Sequence, residues 1–176
     1  EYLSLKPEKA HLVNGLIYPV PDPRLPFLGV HFTKRISGSV EAGPNAVLAL
    51  KREGYSKTSF DLGDTMDALK FPGFWRMSRK YWKVGINEQY RSVIRSAFVR
   101  SLQTLVPELQ DHDLHMPGAG VRAQAVDTAG NLVQDFSIAQ TENAIHVVNA
   151  PSPGATSSLA ISRYIVDLAK RSFDLN

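Results

Sequence analysis

Apolar residues come in short runs over the first fifty positions, and each run is closed by proline, glycine or aspartate. Glu1-Tyr2-Leu3-Ser4-Leu5 is strand-like. Leu16-Ile17-Tyr18-Pro19-Val20 is ended by Pro21-Asp22-Pro23, and Phe27-Leu28-Gly29-Val30-His31-Phe32 follows. Ser39-Val40-Glu41-Ala42 comes after a turn signal at Ser37-Gly38. Ala46-Val47-Leu48-Ala49-Leu50 fits a strand or a buried helix. Prolines between the runs punctuate loops. A β-rich first third is expected.

From Asp61 to about Pro107 the apolar spacing becomes helical. A short helix is expected from Asp61 to Leu69, broken at Phe71-Pro72-Gly73 and resuming from Phe74 to Trp82. Asn87 is a candidate cap for a longer helix through Tyr90, Ile94, Phe98 and Leu102, with those four steps forming one buried face. Pro107 ends it. Strand patterning then returns in Gly120 to Val126, Phe136 to Ile138 and Ile145 to Val148, with a turn at Asp127 to Asn131. A last helix is expected from Pro153 to Phe173. Strands, helices, strands and a helix in that order predict an α+β fold with a mixed, largely antiparallel sheet flanked by helices.

Composition narrows the class. The 176 residues are 43% apolar and 21% charged, enough for one real core. No apolar run is long enough to span a membrane, and no signal peptide opens the chain. With no cysteine there is no disulfide scaffold and no thiolate metal site, which leaves the cytoplasm as the expected compartment. The net charge of +3 is spread along the chain, so no nucleic-acid partner is expected. The densest basic stretch, Arg76 to Lys83, also holds Trp75, Tyr81 and Trp82. It reads first as a solvated helix face, and secondly as a peripheral membrane or partner surface. The chain starts in strand-like sequence without methionine, as an excised or processed piece would.

Three segments carry candidate chemistry. Asn149-Ala150-Pro151-Ser152-Pro153-Gly154-Ala155 leads from a strand into a helix. Ser152 suits an N-cap, Pro153 the first helical position, and Gly154 leaves the first turn bare, so its amides could face an anion or simply cap an ordinary helix. Gly118-Ala119-Gly120-Val121-Arg122 joins a flexible backbone to an arginine whose fork matches a carboxylate. In Gly29-Val30-His31-Phe32-Thr33, alternation turns His31 away from Val30 and Phe32. A histidine there is a proton acceptor near neutral pH, or a satisfied core residue. His146 is its rival. His112 and His115 flank Asp113 at a spacing that only weakly mimics a metal pair. Neither a Gly-x-Gly-x-x-Gly fingerprint nor a phosphate-binding P-loop occurs.

Taken together, five segments resemble the L-2-hydroxyglutarate oxidase and dehydrogenase family of FAD-dependent, D-amino-acid-oxidase-like flavoproteins. They are Leu16 to Pro23, Phe27 to Thr33, Gly43-Pro44-Asn45-Ala46-Val47-Leu48-Ala49, Gly118 to Gln124, and His146 to Pro153. The resemblance implies a C-terminal fragment: a partial substrate-binding domain over residues 1–116, then residues 117–176 returning to the FAD site. The upstream FAD-binding segment would be absent and the fragment inactive alone. The implied reaction is oxidation of L-2-hydroxyglutarate to 2-oxoglutarate, with oxygen or a membrane quinone as final acceptor. It further implies Arg122 as the carboxylate clamp, and Pro151, Ser152, Pro153, Gly154 and Gly120 at the flavin. For His31 as the base, a residue of the absent segment is the alternative. Tyr18 and Asn45 would line the pocket or serve the fold. The expected compartment is cytoplasmic, with peripheral contact at the inner face of the membrane. The competing reading is a small-dicarboxylate binding module without redox activity.

Overall fold

The structure, a computed structural model, describes residues 1–20, 29–151 and 153–173. The expected loop at Pro21-Asp22-Pro23, the residues Phe27 and Leu28, and Ser152 lie outside them. Five strands form one sheet: β1 (Tyr2–Leu5), β2 (Leu16–Ile17), β3 (His31–Lys34), β4 (Val40–Gly43) and β5 (Leu114–Gly118), in the order β2-β3-β4-β1-β5. Every pairing in it is antiparallel. β1 therefore takes the place next to the sheet edge, and β5, distant in sequence, closes beside it. A 3₁₀ turn at Pro7–Leu12 leaves β1. The Ser37-Gly38 signal makes the β3–β4 hairpin turn, where Gly38 has φ 87° and donates its amide to Arg35 O.

The helices are α1 (Leu62–Lys70), α2 (Pro72–Val93) and α3 (Arg95–Gln103). Asp61 caps α1, its side chain accepting from the Asp64 amide at 2.9 Å. Phe71 is extended, as a residue before proline is pushed to be, so α1 ends and Pro72 opens α2. Asn87 does not start a helix: it lies inside α2, which runs on to Val93. α2 is kinked at Tyr81 (φ −113°, ψ 16°), close to the end expected at Trp82, and the chain leaves the helix at Ile94 (φ −100°, ψ 92°). That break re-aims the chain so that Phe98 and Leu102 reach the sheet, where Leu102 is fully buried. Tyr90 and Ile94, expected on the same buried face, remain 50% and 39% exposed.

The core lies between one face of the sheet and α3. Leu3, Leu5, Phe32, Val40, Ala42 and Leu114 come from the strands, and Phe98, Val99 and Leu102 from α3. Val13, Val30, Val106 and Leu109 complete it. Burying these side chains is the main stabilising term, each worth about 1.5–3 kcal/mol for the larger ones.

One expected strand does not form, and one run expected as strand or buried helix forms neither. Ala46 to Leu50 is irregular, contributing only an isolated bridge from Leu50 to Phe60. Gly120 to Val126 contributes only the Val126–Leu132 bridge, because its neighbours Ala125 and Asp127 close the Asp127–Asn131 turn instead of meeting the sheet. The strand in this region is Leu114–Gly118. Beyond it come a hairpin of β6 (Ser137–Gln140) and β7 (Ile145–Asn149), and then α4 (Ser158–Phe173). The last helix starts later than Pro153, since residues 153–157 wind as turns.

Candidate functional site

The sheet has two unlike faces. One carries the core. On the other, the registers Tyr18-side, His31↔Gly43 and Tyr2↔Gly118 run in a row across the strands. Leu16↔Thr33 and Ile17↔Phe32 place Tyr18 beside His31. His31 pairs with Gly43. Leu3↔Ala42 places Tyr2 beside Gly43, and Tyr2 pairs with Gly118. Thr33, Glu41 and His115 share this face by alternation.

His31 is where the alternation predicted, partly exposed while Val30 and Phe32 are buried. Its ring stacks on Tyr18, with centroids 4.4 Å apart and planes 23° apart. The Tyr18 hydroxyl lies 3.4 Å from Thr33 Oγ1. His31 Nδ1 lies 3.1 Å from the Gly29 carbonyl oxygen, an acceptor. The tautomer that donates there carries its proton on Nδ1 and leaves the Nε2 lone pair free.

Electrostatics concentrate around Tyr2. Burial holds its phenol above the usual tyrosine value, and Glu41 pushes the same way. Arg35, Tyr18 and Arg122 are also near enough to act on it, the two arginines pulling it down. Arg35 and Glu41 pair at 2.5 Å, and that bond raises the guanidinium further. Arg122 is exposed, in the irregular segment after β5. His31 and Tyr18 are thus brought together on one face, and Arg122 follows the strand that pairs with Tyr2.

Asn45 is set apart from them. It is fully buried, with Nδ2 donating to Glu88 O at 2.9 Å and to Glu1 Oε2 at 3.4 Å, while Oδ1 has no partner. The Ala46 amide donates to Glu88 Oε2 at 2.8 Å, and Arg91 bonds to Glu88. This buried polar knot fastens the exit of β4 to α2.

The segment from Pro151 to Gly154 borders another surface. Gly154 and Ala150 line an apolar groove of about 410 Å³ with Phe136, Val147, Ile161 and Ile165. The bare helix start expected at Pro153 is not found. Gly154 already donates its amide to Pro151 O at 2.9 Å, Ser157 to Pro153 O at 3.0 Å, and α4 begins at Ser158. The reason is local: Pro153 and Gly154 favour a turn, and the turn satisfies amides that a helix start would leave free. Gly120 is exposed, and a Cβ built there would meet nothing within 4 Å.

Sequence reasoning passed over Tyr2, Thr33, Glu41 and Arg35. The signal was present: Tyr2 alternates with Leu3 and Leu5 as His31 does with Phe32. Only the register shows that the two rows coincide. Among the described residues no group of His, Cys, Asp or Glu is placed to hold a metal ion, and no helix is long and apolar enough to cross a membrane.

No family model matches the chain. It is similar to curated proteins over nearly its whole length. A protein of Indibacter alkaliphilus named L-2-hydroxyglutarate dehydrogenase is 53% identical over 173 residues, covering 98% of the chain and 43% of the relative. Proteins named L-2-hydroxyglutarate dehydrogenase, mitochondrial, are 52% identical in Caenorhabditis elegans and 49% in Homo sapiens. Each alignment runs over 180 residues, 99% of the chain, but covers 42% and 39% of the relative. The chain therefore spans about two-fifths of the length of these relatives.

Proposed function

From a chain homologous over nearly all its length to the L-2-hydroxyglutarate dehydrogenases, we propose that it is part of an FAD-dependent oxidoreductase. That enzyme oxidises L-2-hydroxyglutarate to 2-oxoglutarate. The identity to those relatives carries the reading, and the polar sheet face supports it. In this reading residues 1–116 are part of the substrate domain and residues 117–176 return to the flavin. The chain alone is inactive.

The substrate is a dianion and needs a cation. Arg122 supplies it, its fork donating two N–H bonds to a carboxylate. His31 takes the hydroxyl proton on Nε2, with Nδ1 held by the Gly29 carbonyl and the ring held against Tyr18. Asn45 braces the strand beneath. FAD, when bound, supplies the acceptor for the hydride that leaves C2. The residues present fit part of that cofactor. The groove lined by Gly154 offers apolar walls that suit a flavin ring, and the family resemblance adds Pro151, Ser152, Pro153 and Gly120 to the residues proposed at the flavin. No glycine fingerprint is available for the phosphates. Final acceptors consistent with this chemistry are oxygen and a membrane quinone. The proposed compartment is cytoplasmic, with peripheral contact at the inner face of the membrane, while the eukaryotic relatives are named mitochondrial.

The test is a flavin spectrum, taken on a longer polypeptide that carries this chain. Bleaching with the L isomer and not the D isomer is expected. Arg122→Ala should raise KM at least tenfold, since a charge-assisted contact is worth about 1.5–3 kcal/mol. The chain alone should leave the FAD band unperturbed. Dicarboxylate binding without bleaching in the longer polypeptide would instead favour a binding module.

A further inference from the structure

We infer that Tyr2 is a substrate-contacting residue, its hydroxyl donating to the carboxylate that Arg122 holds. The inference rests on the reading just proposed and goes one residue further.

Three observations carry it. First, Tyr2 stands in the same cross-strand row as His31 and Tyr18, on the polar face. Second, the residues on either side of it in that row, Gly43 and Gly118, have no side chains. Both sit at φ 144°. The Tyr2 ring leans over Gly43: a Cβ built there would lie 3.1 Å from Tyr2 Cδ1. His31 and Tyr2 thus face each other over a bare glycine, two strand spacings or about 10 Å apart at the backbone. With the Tyr2 ring itself lying over Gly43, a small acid resting on the outer side of this row would have the proton acceptor at one end and the phenol at the other. Third, charge of both signs converges on Tyr2: Glu41 and Arg35 from the β3–β4 hairpin, and Arg122 from beyond β5. The phenol stays protonated well into alkaline pH, so it acts as a donor and suits an anionic oxygen.

A merely structural tyrosine needs its ring and not its hydroxyl, so Tyr2→Phe separates the two roles. The measurements are KM and kcat for L-2-hydroxyglutarate, and the binding of glutarate, which has both carboxylates and no hydroxyl to oxidise. They are made in the full-length holoenzyme, with Arg122→Ala in parallel. Tyr2→Phe should raise KM about tenfold and weaken glutarate binding by a similar factor, with an unchanged melting temperature. If glutarate binding and KM stay within twofold in Tyr2→Phe while Arg122→Ala weakens both, Tyr2 is no ligand and the functional reading stands. If Tyr2→Phe lowers kcat alone, the carboxylate contact is likewise refuted. If neither variant changes KM, Arg122 is not the carboxylate clamp and this inference falls with it; the functional reading itself falls only if the parent holoenzyme does not oxidise L-2-hydroxyglutarate.

Discussion

Asp113 shows how one side chain can set the response to acid. It is buried, and burial raises its pKa. The Gln110 amide at 2.9 Å, Lys9 at 3.6 Å and His112 at 3.4 Å outweigh that, so the net shift is downward. A carboxyl with a depressed folded pKa contributes stability above its unfolded value, near 4, and loses it as pH falls through the folded value. Asp113→Asn should therefore be less stable near neutrality and lose less on further acidification. Denaturant titrations at about pH 7 and about pH 3 check both parts. His31 belongs to the same scale. Replacing it with Gln in the full-length enzyme should lower kcat by about a hundredfold or more with little change in KM, if it is the base. Steady-state kinetics across pH would show it. The position of His31 was readable from alternation alone. The buried knot around Asn45 was not, because Glu88 lies 43 residues away in sequence.

Among the elements, β4 carries a close backbone constraint. Gly43 sits at φ 144°, and a Cβ there would come within 2.9 Å of the Glu1 carbonyl oxygen. Gly43→Ala should destabilise by roughly 1–3 kcal/mol through backbone strain alone, with crowding of the Tyr2 ring added. Chemical denaturation measures it. Phe32, on the neighbouring strand and fully buried, should cost about 3–5 kcal/mol as Phe32→Ala. Helix ends were legible where one residue decides them: Asp61 caps and Pro72 opens. Asn87 misled because a good cap starts a helix only where the preceding turn is broken, and here the break lies at Ile94. Arg95 holds the redirected chain by bonding to Asp111 Oδ1 at 2.5 Å and to Leu114 O at 2.8 Å, contacts that exist only once β5 is in place.

At the scale of the molecule, α4 and α2 both leave apolar side chains uncovered. α4 leaves Leu159, Tyr164 and Val166 exposed beside the groove. α2 exposes Trp75 and Trp82, with Lys83 Nζ 5.6 Å from the Trp82 ring centroid. Arg76 and Lys80, on the flank of α2, are engaged by Thr128 O and Asn131 Oδ1. If this face meets a membrane, Trp82→Ala should weaken binding to anionic vesicles without lowering the melting temperature, and vesicle sedimentation would measure it. Unchanged binding would dismiss that role.

The helix expected to stop at Pro107 already ends at Gln103, but by itself the sequence determined the class of the fold, the alternation that separates a core face from a polar face, the hairpin at Gly38 and the break at Pro72. All of these follow from interactions within a few residues: steric limits on φ, caps, and side-chain periodicity. Only the tertiary structure decided that β1 pairs with both β4 and β5. It also decided that Tyr2 and His31 share a row, that Gly120 to Val126 stays out of the sheet, and that the turn after Pro151 consumes the amides a helix start would have offered. Strand order and register depend on contacts more than a hundred residues apart. A local pattern cannot say which strand will lie beside which, so a site built across strands becomes visible only when they are paired.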